Sequence, residues 1–140
     1  MKKLSSPKGF TLIELLVVIA VLGVLAAGVF AAINPLQRIN QANDARAKND
    51  LGQIVQAIQS YYTNGNPPVY PAALTDLTPN DLKVVPSAPS GYTYTYRVSS
   101  GQAILYTTLK AITTNTVYCW DDSLGGFKAT TDPSNAQRCP

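Results

Sequence analysis

The feature that most constrains this chain is residues 10–33, FTLIELLVVIAVLGVLAAGVFAAI, a run of twenty-four in which Glu14 is the only charge. At about 1.5 Å of rise per residue, a helix of that length reaches roughly 36 Å, enough to cross a hydrocarbon core of about 30 Å with some tilt. A buried helix in a soluble core is a poor alternative, because such cores rarely hold so long an unbroken apolar run. A cleaved secretory signal also fits poorly. Ala26, Ala27, Ala31 and Ala32 supply small residues near the end. The run nevertheless exceeds the usual apolar region of about 7 to 15 residues, and an acid at its start is out of place.

The start of the run is more specific than its hydrophobicity. Lys8-Gly9-Phe10-Thr11-Leu12-Ile13-Glu14 follows a short basic segment that ends in Gly. This sequence closely resembles the processing site of type IV prepilins and type II secretion pseudopilins. The resemblance implies that residues 1–9 are a leader removed after Gly9 by a prepilin peptidase and that the new amine of Phe10 is N-methylated. It further implies that the inner-membrane assembly machinery builds the mature chain into a homo-oligomeric filament. Gly9 leaves no side chain at the scissile position, so a peptidase can approach the backbone closely.

Charge then gives an orientation. Lys2, Lys3 and Lys8 all precede the expected cut, so the formal charge of +3 falls to eight basic and eight acidic side chains in the mature chain. No general basic field remains to bind nucleic acid. Three cations directly before the span, crossed once, place the amino terminus in the cytoplasm and the rest of the chain outside; the resemblance implies that the membrane is a bacterial inner membrane. Cys119 and Cys139, the only cysteines, then meet an oxidising compartment and read as a disulfide rather than a redox or metal pair. The chain has no histidine, which removes the usual general base and the commonest metal ligand.

Residues 34–140 are enough for one modest extracytoplasmic head. Asn34-Pro35 interrupts the helical pattern: either the helix kinks there or a second one begins, with Asn as a good cap and Pro suited to a first turn. Related pilins usually carry such a proline a few residues earlier. Residues 35–62 read as a helical spine in which Leu51, Ile54, Val55, Ile58, Tyr61 and Tyr62 form one apolar stripe. The half before Asp50 is polar enough to be expected in a wetter zone. Thr63-Asn64-Gly65 predicts a left-handed cap, followed by the breakers Asn66-Pro67-Pro68.

Residues 63–90 hold six of the ten prolines and read as a long connection pinned to the spine by Tyr70, Leu74, Leu77 and Leu82. The run from Tyr61 through Tyr70-Pro71 to Leu77 also resembles the pseudopilin pattern, some fifty residues from the first match. Residues 91–140 read as three to four antiparallel strands. Ser99-Ser100-Gly101 turns one hairpin and the stretch from Asp121 to Gly126 turns another. The expected class is α+β and pilin-like, a long N-terminal helix whose second half packs against a small sheet. The alternating Tyr92, Tyr94 and Tyr96 could form a stacking platform for a ligand, but cross-strand packing is the commoner use.

Among candidate functional residues, Glu14 asks for a partner, since a lone acid in an apolar span usually has a partner or a task. The resemblance supplies one, the amine of Phe10 on a neighbouring subunit. Asp121, Asp122, Ser123 and Asp132 could offer oxygens to calcium, as the matching region does in major pseudopilins. Their spacing fits no EF-hand loop, and turn chemistry is the commoner reading. No catalytic motif or cofactor signature appears. A structural subunit of a type IV pilus-like or type II secretion pseudopilus filament is therefore expected. The alternative is a minor pilin or a membrane-anchored module that captures DNA or a surface ligand.

Overall fold

The computed structural model describes residues 9–111, 116–131 and 139. The chain divides into two compact units, Met1–Leu36 and Gln37–Pro140. The first unit is built around α1, Leu12–Ile33, which is long and apolar enough to cross a membrane and has no side chain buried among those described. Nothing in its own unit covers those Leu, Val and Ile side chains, as expected of a helix whose solvent is lipid.

The helix ends at Asn34, which adopts the left-handed conformation with φ of 45°. Asn tolerates that region because its short polar side chain can bond locally. A second helix, α2, spans Pro35–Asn64 and begins directly on Pro35, where a missing amide costs nothing because the first amides of a helix have no partner. Of the two options at Asn34-Pro35, the chain takes a break and a fresh start. Asn34 closes the first helix rather than capping the second.

The far end of α2 differs from expectation. The helix continues through Thr63 and Asn64, and neither they nor Gly65 takes a positive φ. Thr63 Oγ1 donates to the Ser60 carbonyl at 3.0 Å, Asn64 Nδ2 to Ser60 Oγ at 3.3 Å, and Gly65 N to the Tyr61 carbonyl at 3.2 Å. These bonds back onto the previous turn extend the helix where composition alone suggested a stop.

In the second unit, α2 buries one face, Asp44, Ala47, Asp50, Leu51, Ile54, Val55, Ala57 and Ile58. A four-stranded antiparallel sheet lies against it in the order β1-β2-β3-β4, with β1 Thr95–Ser99, β2 Gln102–Thr108, β3 Val117–Asp121 and β4 Gly126–Thr130. Register decides which side chains meet the helix. Tyr96 pairs with Leu105, Leu105 with Trp120 and Trp120 with Phe127, and this row packs with Ala103 on Leu51, Ile54 and Ile58. The alternate row faces away, where Ile104, Val117, Cys119 and Cys139 form a second small cluster with Tyr106 against it.

The β1–β2 hairpin turns on two residues, Ser100 with φ of 52° and Gly101 with φ of 76°. Both positive values mark the type I′ turn, whose twist matches that of the strands it joins. Glycine supplies the second at no steric cost. Between β3 and β4 the chain makes a 3-10 turn at Asp122–Leu124 before Gly125 returns it to the sheet.

The proline-rich connection runs along α2. Tyr70 stacks on Tyr62 with ring centroids 4.4 Å apart, and Leu77, in the 3-10 turn Leu74–Leu77, is fully buried in the main core. Ser60 Oγ donates to Asp81 Oδ1 at 2.6 Å, and Arg46 Nη2 to the Ser87 carbonyl at 3.3 Å. Tyr70, Leu74 and Leu82 pack on the same core, so the expected pins all hold. Replacing Leu51 by Ala should lower stability by about 2 to 5 kcal/mol through the cavity it leaves, whereas Val84→Ala, at a position 75% exposed, should cost under about 0.5 kcal/mol. Thermal melts of the two full-length variants in detergent should differ accordingly.

Candidate functional site

Two sets of residues carry chemistry, one at the start of α1 and one where the sheet meets α2. At the first, Gly9 and Phe10 precede the helix and are exposed, Phe10 at 84%. A Cβ on Gly9 would meet nothing within 4 Å, so any demand for glycine there comes from an enzyme that handles the bond and not from the chain. Residues 1–8 of the expected leader lie outside the described residues.

Thr11 caps α1 from an extended backbone, and Glu14 in the first turn completes a reciprocal box. Glu14 N donates to Thr11 Oγ1 at 3.3 Å, while Thr11 N and Thr11 Oγ1 donate to Glu14 Oε2 at 2.9 and 2.8 Å. The box satisfies amides that a helix start otherwise leaves open. Within one chain, the expected lone acid, four residues after Phe10, thus has a local partner in Thr11. Both bonds to the carboxylate fall on one oxygen, Oε2.

At the second set, Asp44 is buried in α2 and accepts three hydrogen bonds from the sheet side: Lys110 N at 2.9 Å and Tyr92 Oη at 2.6 Å reach Oδ1, and Ala111 N at 3.0 Å reaches Oδ2. Two turns on, Asp50 Oδ2 accepts from Tyr94 Oη at 2.7 Å and lies 3.7 Å from Arg46 Nε. Tyr96 Oη donates to the Pro71 carbonyl at 2.9 Å. The tyrosine alternation therefore serves neither a ligand platform nor cross-strand packing alone. Tyr92 and Tyr94 precede β1, and their hydroxyls tie it to the carboxylates of α2.

Burial first, and the neighbouring carboxylates of Asp44 and Asp50 second, hold the hydroxyls of Tyr92 and Tyr94 well above the ordinary tyrosine range. The polar half of α2 is not a wetter zone throughout, since Asp44 and Ala47 are buried one to two turns before the stripe read from the sequence. The missed signal was the spacing of Asp44, Ala47 and Leu51, which continues that stripe through a carboxylate and a small side chain.

Cys119 and Cys139 are joined, tying residue 139 to β3 on the sheet face away from α2. Of the calcium candidates, Asp121 is buried and its Oδ1 accepts from Ser123 N at 2.8 Å and Ser123 Oγ at 2.7 Å, the pattern of a side chain capping its own turn. Asp122 stands near Tyr70, whose hydroxyl is pushed above the ordinary tyrosine range by burial first and by this carboxylate second, and Asp132 lies outside the described residues. Among the described residues, no group of three or more His, Cys, Asp or Glu could hold a metal.

Ionisation of the tyrosines gives the head a measurable alkaline limit. In the unfolded chain they lose their protons near pH 10, whereas burial keeps Tyr92 and Tyr94 protonated in the fold. The folded pKa being raised, this stability is fully present below about pH 10 and is lost as pH rises beyond it. Tyr94→Phe should lower the melting temperature at pH 7 by a few degrees and flatten its fall between about pH 10 and 12. An unchanged alkaline slope in melts of the variant would contradict this assignment.

Residues 4–30 match the family model described as the prokaryotic N-terminal methylation motif. Over 94 residues, 67% of this chain, it is 33% identical to type II secretion system core protein G of Vibrio cholerae. The chain spans about 60% of the length of that curated relative. No solved structure matches it significantly. These matches bear out the resemblance read from Lys8 to Glu14, and the α+β arrangement of helix and antiparallel sheet is the one that resemblance implied.

Proposed function

We propose that this chain, which bears the N-terminal methylation motif and is similar to a secretion-system core protein, is a structural subunit of a pseudopilus-type filament, made as a membrane-anchored precursor. The observation that carries the reading is the start of α1. An exposed Gly9-Phe10 bond stands just outside a capped apolar helix, with Glu14 in its first turn. Cleavage there leaves an ammonium on Phe10, which is then methylated.

In this reading, each part of the molecule has a mechanical role rather than a chemical one. The helix α1 holds the precursor in the inner membrane, and in the filament the same apolar surface packs against other copies of itself. Glu14 accepts the Phe10 ammonium of a neighbour. Two opposite charges attract far more strongly in a low-dielectric setting than in water, yet desolvation offsets much of that gain, so the pair fixes axial register better than it adds affinity. The head sits outside the cytoplasm, in line with the joined cysteines. The chain is read as non-catalytic, with peptidase and assembly machinery acting on it.

The intact mass of the mature protein tests processing. A chain beginning at Phe10 and carrying one methyl group is expected, and one beginning at Met1 or after Ala32 would overturn the reading. Gly9→Val should block the cut while leaving membrane insertion unchanged, because the span is untouched.

Glu14→Gln tests assembly. Insertion and head folding should persist, since losing a charge from the span does not hinder either, while filament yield drops sharply because the ammonium of the neighbour loses its partner. Filaments sheared from cells and counted by electron microscopy, beside a blot of the membrane fraction, give the result. Normal yield from the variant would refute the pairing. If the unaltered chain, expressed with its own assembly system, is present in filaments only in traces, the chain is instead a minor pilin or an anchored binding module.

A further inference from the structure

Asn64-Gly65 is the only Asn-Gly pair in the chain, and it stands at the last turn of α2. Such a pair carries its own electrophile and nucleophile, the side-chain carbonyl carbon of the asparagine and the next main-chain nitrogen. Glycine leaves that nitrogen unobstructed, since it has no side chain beside it. Asn34 and Asn66 cannot react this way, because the nitrogen after each belongs to proline and has no proton to lose.

In the fold both partners are held. Asn64 is helical, and the Gly65 N–H donates to the Tyr61 carbonyl at 3.2 Å, which keeps the nitrogen in the helical ladder and its proton away from solvent base. Asn64 Nδ2 donates to Ser60 Oγ at 3.3 Å, and Ser60 Oγ donates its own proton to Asp81 Oδ1 at 2.6 Å. Water nevertheless reaches the pair, for Asn64 is exposed and lines an open cleft with Ser60, Asn66 and Asp81. Packing favours the glycine, since a Cβ there would crowd the Pro67 carbonyl oxygen at 3.1 Å. The reactive pair is therefore built into the turn, and its unreactivity depends on bonds at a helix end, where local opening is easiest.

We propose that Asn64-Gly65 is a self-modification site of the head, kept unreacted by the last turn of α2 and released to react when that turn opens. On opening, solvent hydroxide takes the Gly65 amide proton, and the nitrogen attacks Asn64 Cγ. The bond from Cγ to Nδ2 breaks, Nδ2 leaves as ammonia after gaining a proton from water, and a cyclic imide remains. Water then adds to either imide carbonyl, and the ring opens to aspartate or to its isomer, whose main chain runs through the former side-chain carbonyl. No electron donor or acceptor is needed.

The turn does not take the product back. The isomer adds a methylene to the main chain and breaks the helical spacing. Plain aspartate has no proton to give, so its oxygens face Ser60 Oγ, whose proton already goes to Asp81. It also places a second negative charge near Asp81 and at the negative end of α2, where the last turn has no basic residue. The connection that leads from Gly65 to buried Leu77 thus loses one of its attachments to the helix.

Peptide mass mapping after incubation at mildly alkaline pH tests the site, with full-length protein in detergent compared against the same chain in urea. Acid at residue 64 should form at least about tenfold more slowly in the folded protein. Ser60→Ala, which removes the partner of Asn64 but no part of the reacting pair, should raise the folded rate several-fold. Ile54→Val, which weakens the core away from the turn, should leave that rate unchanged. Asn64→Asp, the product made directly, should lower the melting temperature by a few degrees and increase protease cutting within residues 65–82.

Equal rates in the folded and unfolded chains would overturn the proposal. A Ser60→Ala rate no higher than that of the unaltered chain, or equal acceleration by Ser60→Ala and Ile54→Val, would do the same, the latter by placing the reaction in global unfolding. An Asn64→Asp variant as stable and as protease-resistant as the unaltered chain would overturn the claim that the turn rejects its product.

Discussion

One face of α2, running from Asp44 to Ile58, positions everything else in the head. Its hydrophobic half receives Leu105 and Trp120 from the centre of the sheet, and its first buried turn receives Tyr92 and the backbone amides that follow β2. The two kinds of contact have different consequences. Apolar burial supplies most of the driving force but tolerates sliding, whereas a carboxylate that must meet two amides and a hydroxyl at once accepts one register. Asp44 thereby fixes where along the helix the sheet sits, and the core beneath Trp120 supplies the stability that lets a buried charge be kept.

This division also accounts for what could be read from the sequence. The apolar run, the Gly9-Phe10 pair and Glu14 are local patterns, as are the i, i+3, i+4 stripe and the two hairpin turns. Each is decided by neighbours within a few residues. The role of Asp44 is not local, because its amide partners stand 66 and 67 residues away and donate main-chain groups that any residue would provide. The longer end of α2 was missed for a smaller reason. Thr63 and Asn64 look like terminators by composition, but their side chains bond back to Ser60 and hold the turn they were expected to end. Which acids face water is likewise not local, because it depends on the tertiary partners that take them out of it.

The two faces of the sheet have unlike coverings. One is closed by the helix, whereas on the other Cys139 is bonded to Cys119. The first covering needs only the hydrophobic pattern of α2, which is laid down early in the chain. The second relies on a covalent tie because so few apolar side chains, Ile104 and Val117 chief among them, lie beneath it.

The order of the strands has a consequence for biogenesis. Each strand pairs with the one next in sequence, so the sheet can grow hairpin by hairpin behind a helix that has already emerged, with no strand waiting for a distant partner. The bond between Cys119 and Cys139 is made after these pairings, since it needs β3 in place. A reduced molecule would keep its spine and sheet yet free Cys139 from the outer cluster, and it would differ from an oxidised one by exposed apolar surface at Ile104 and Val117.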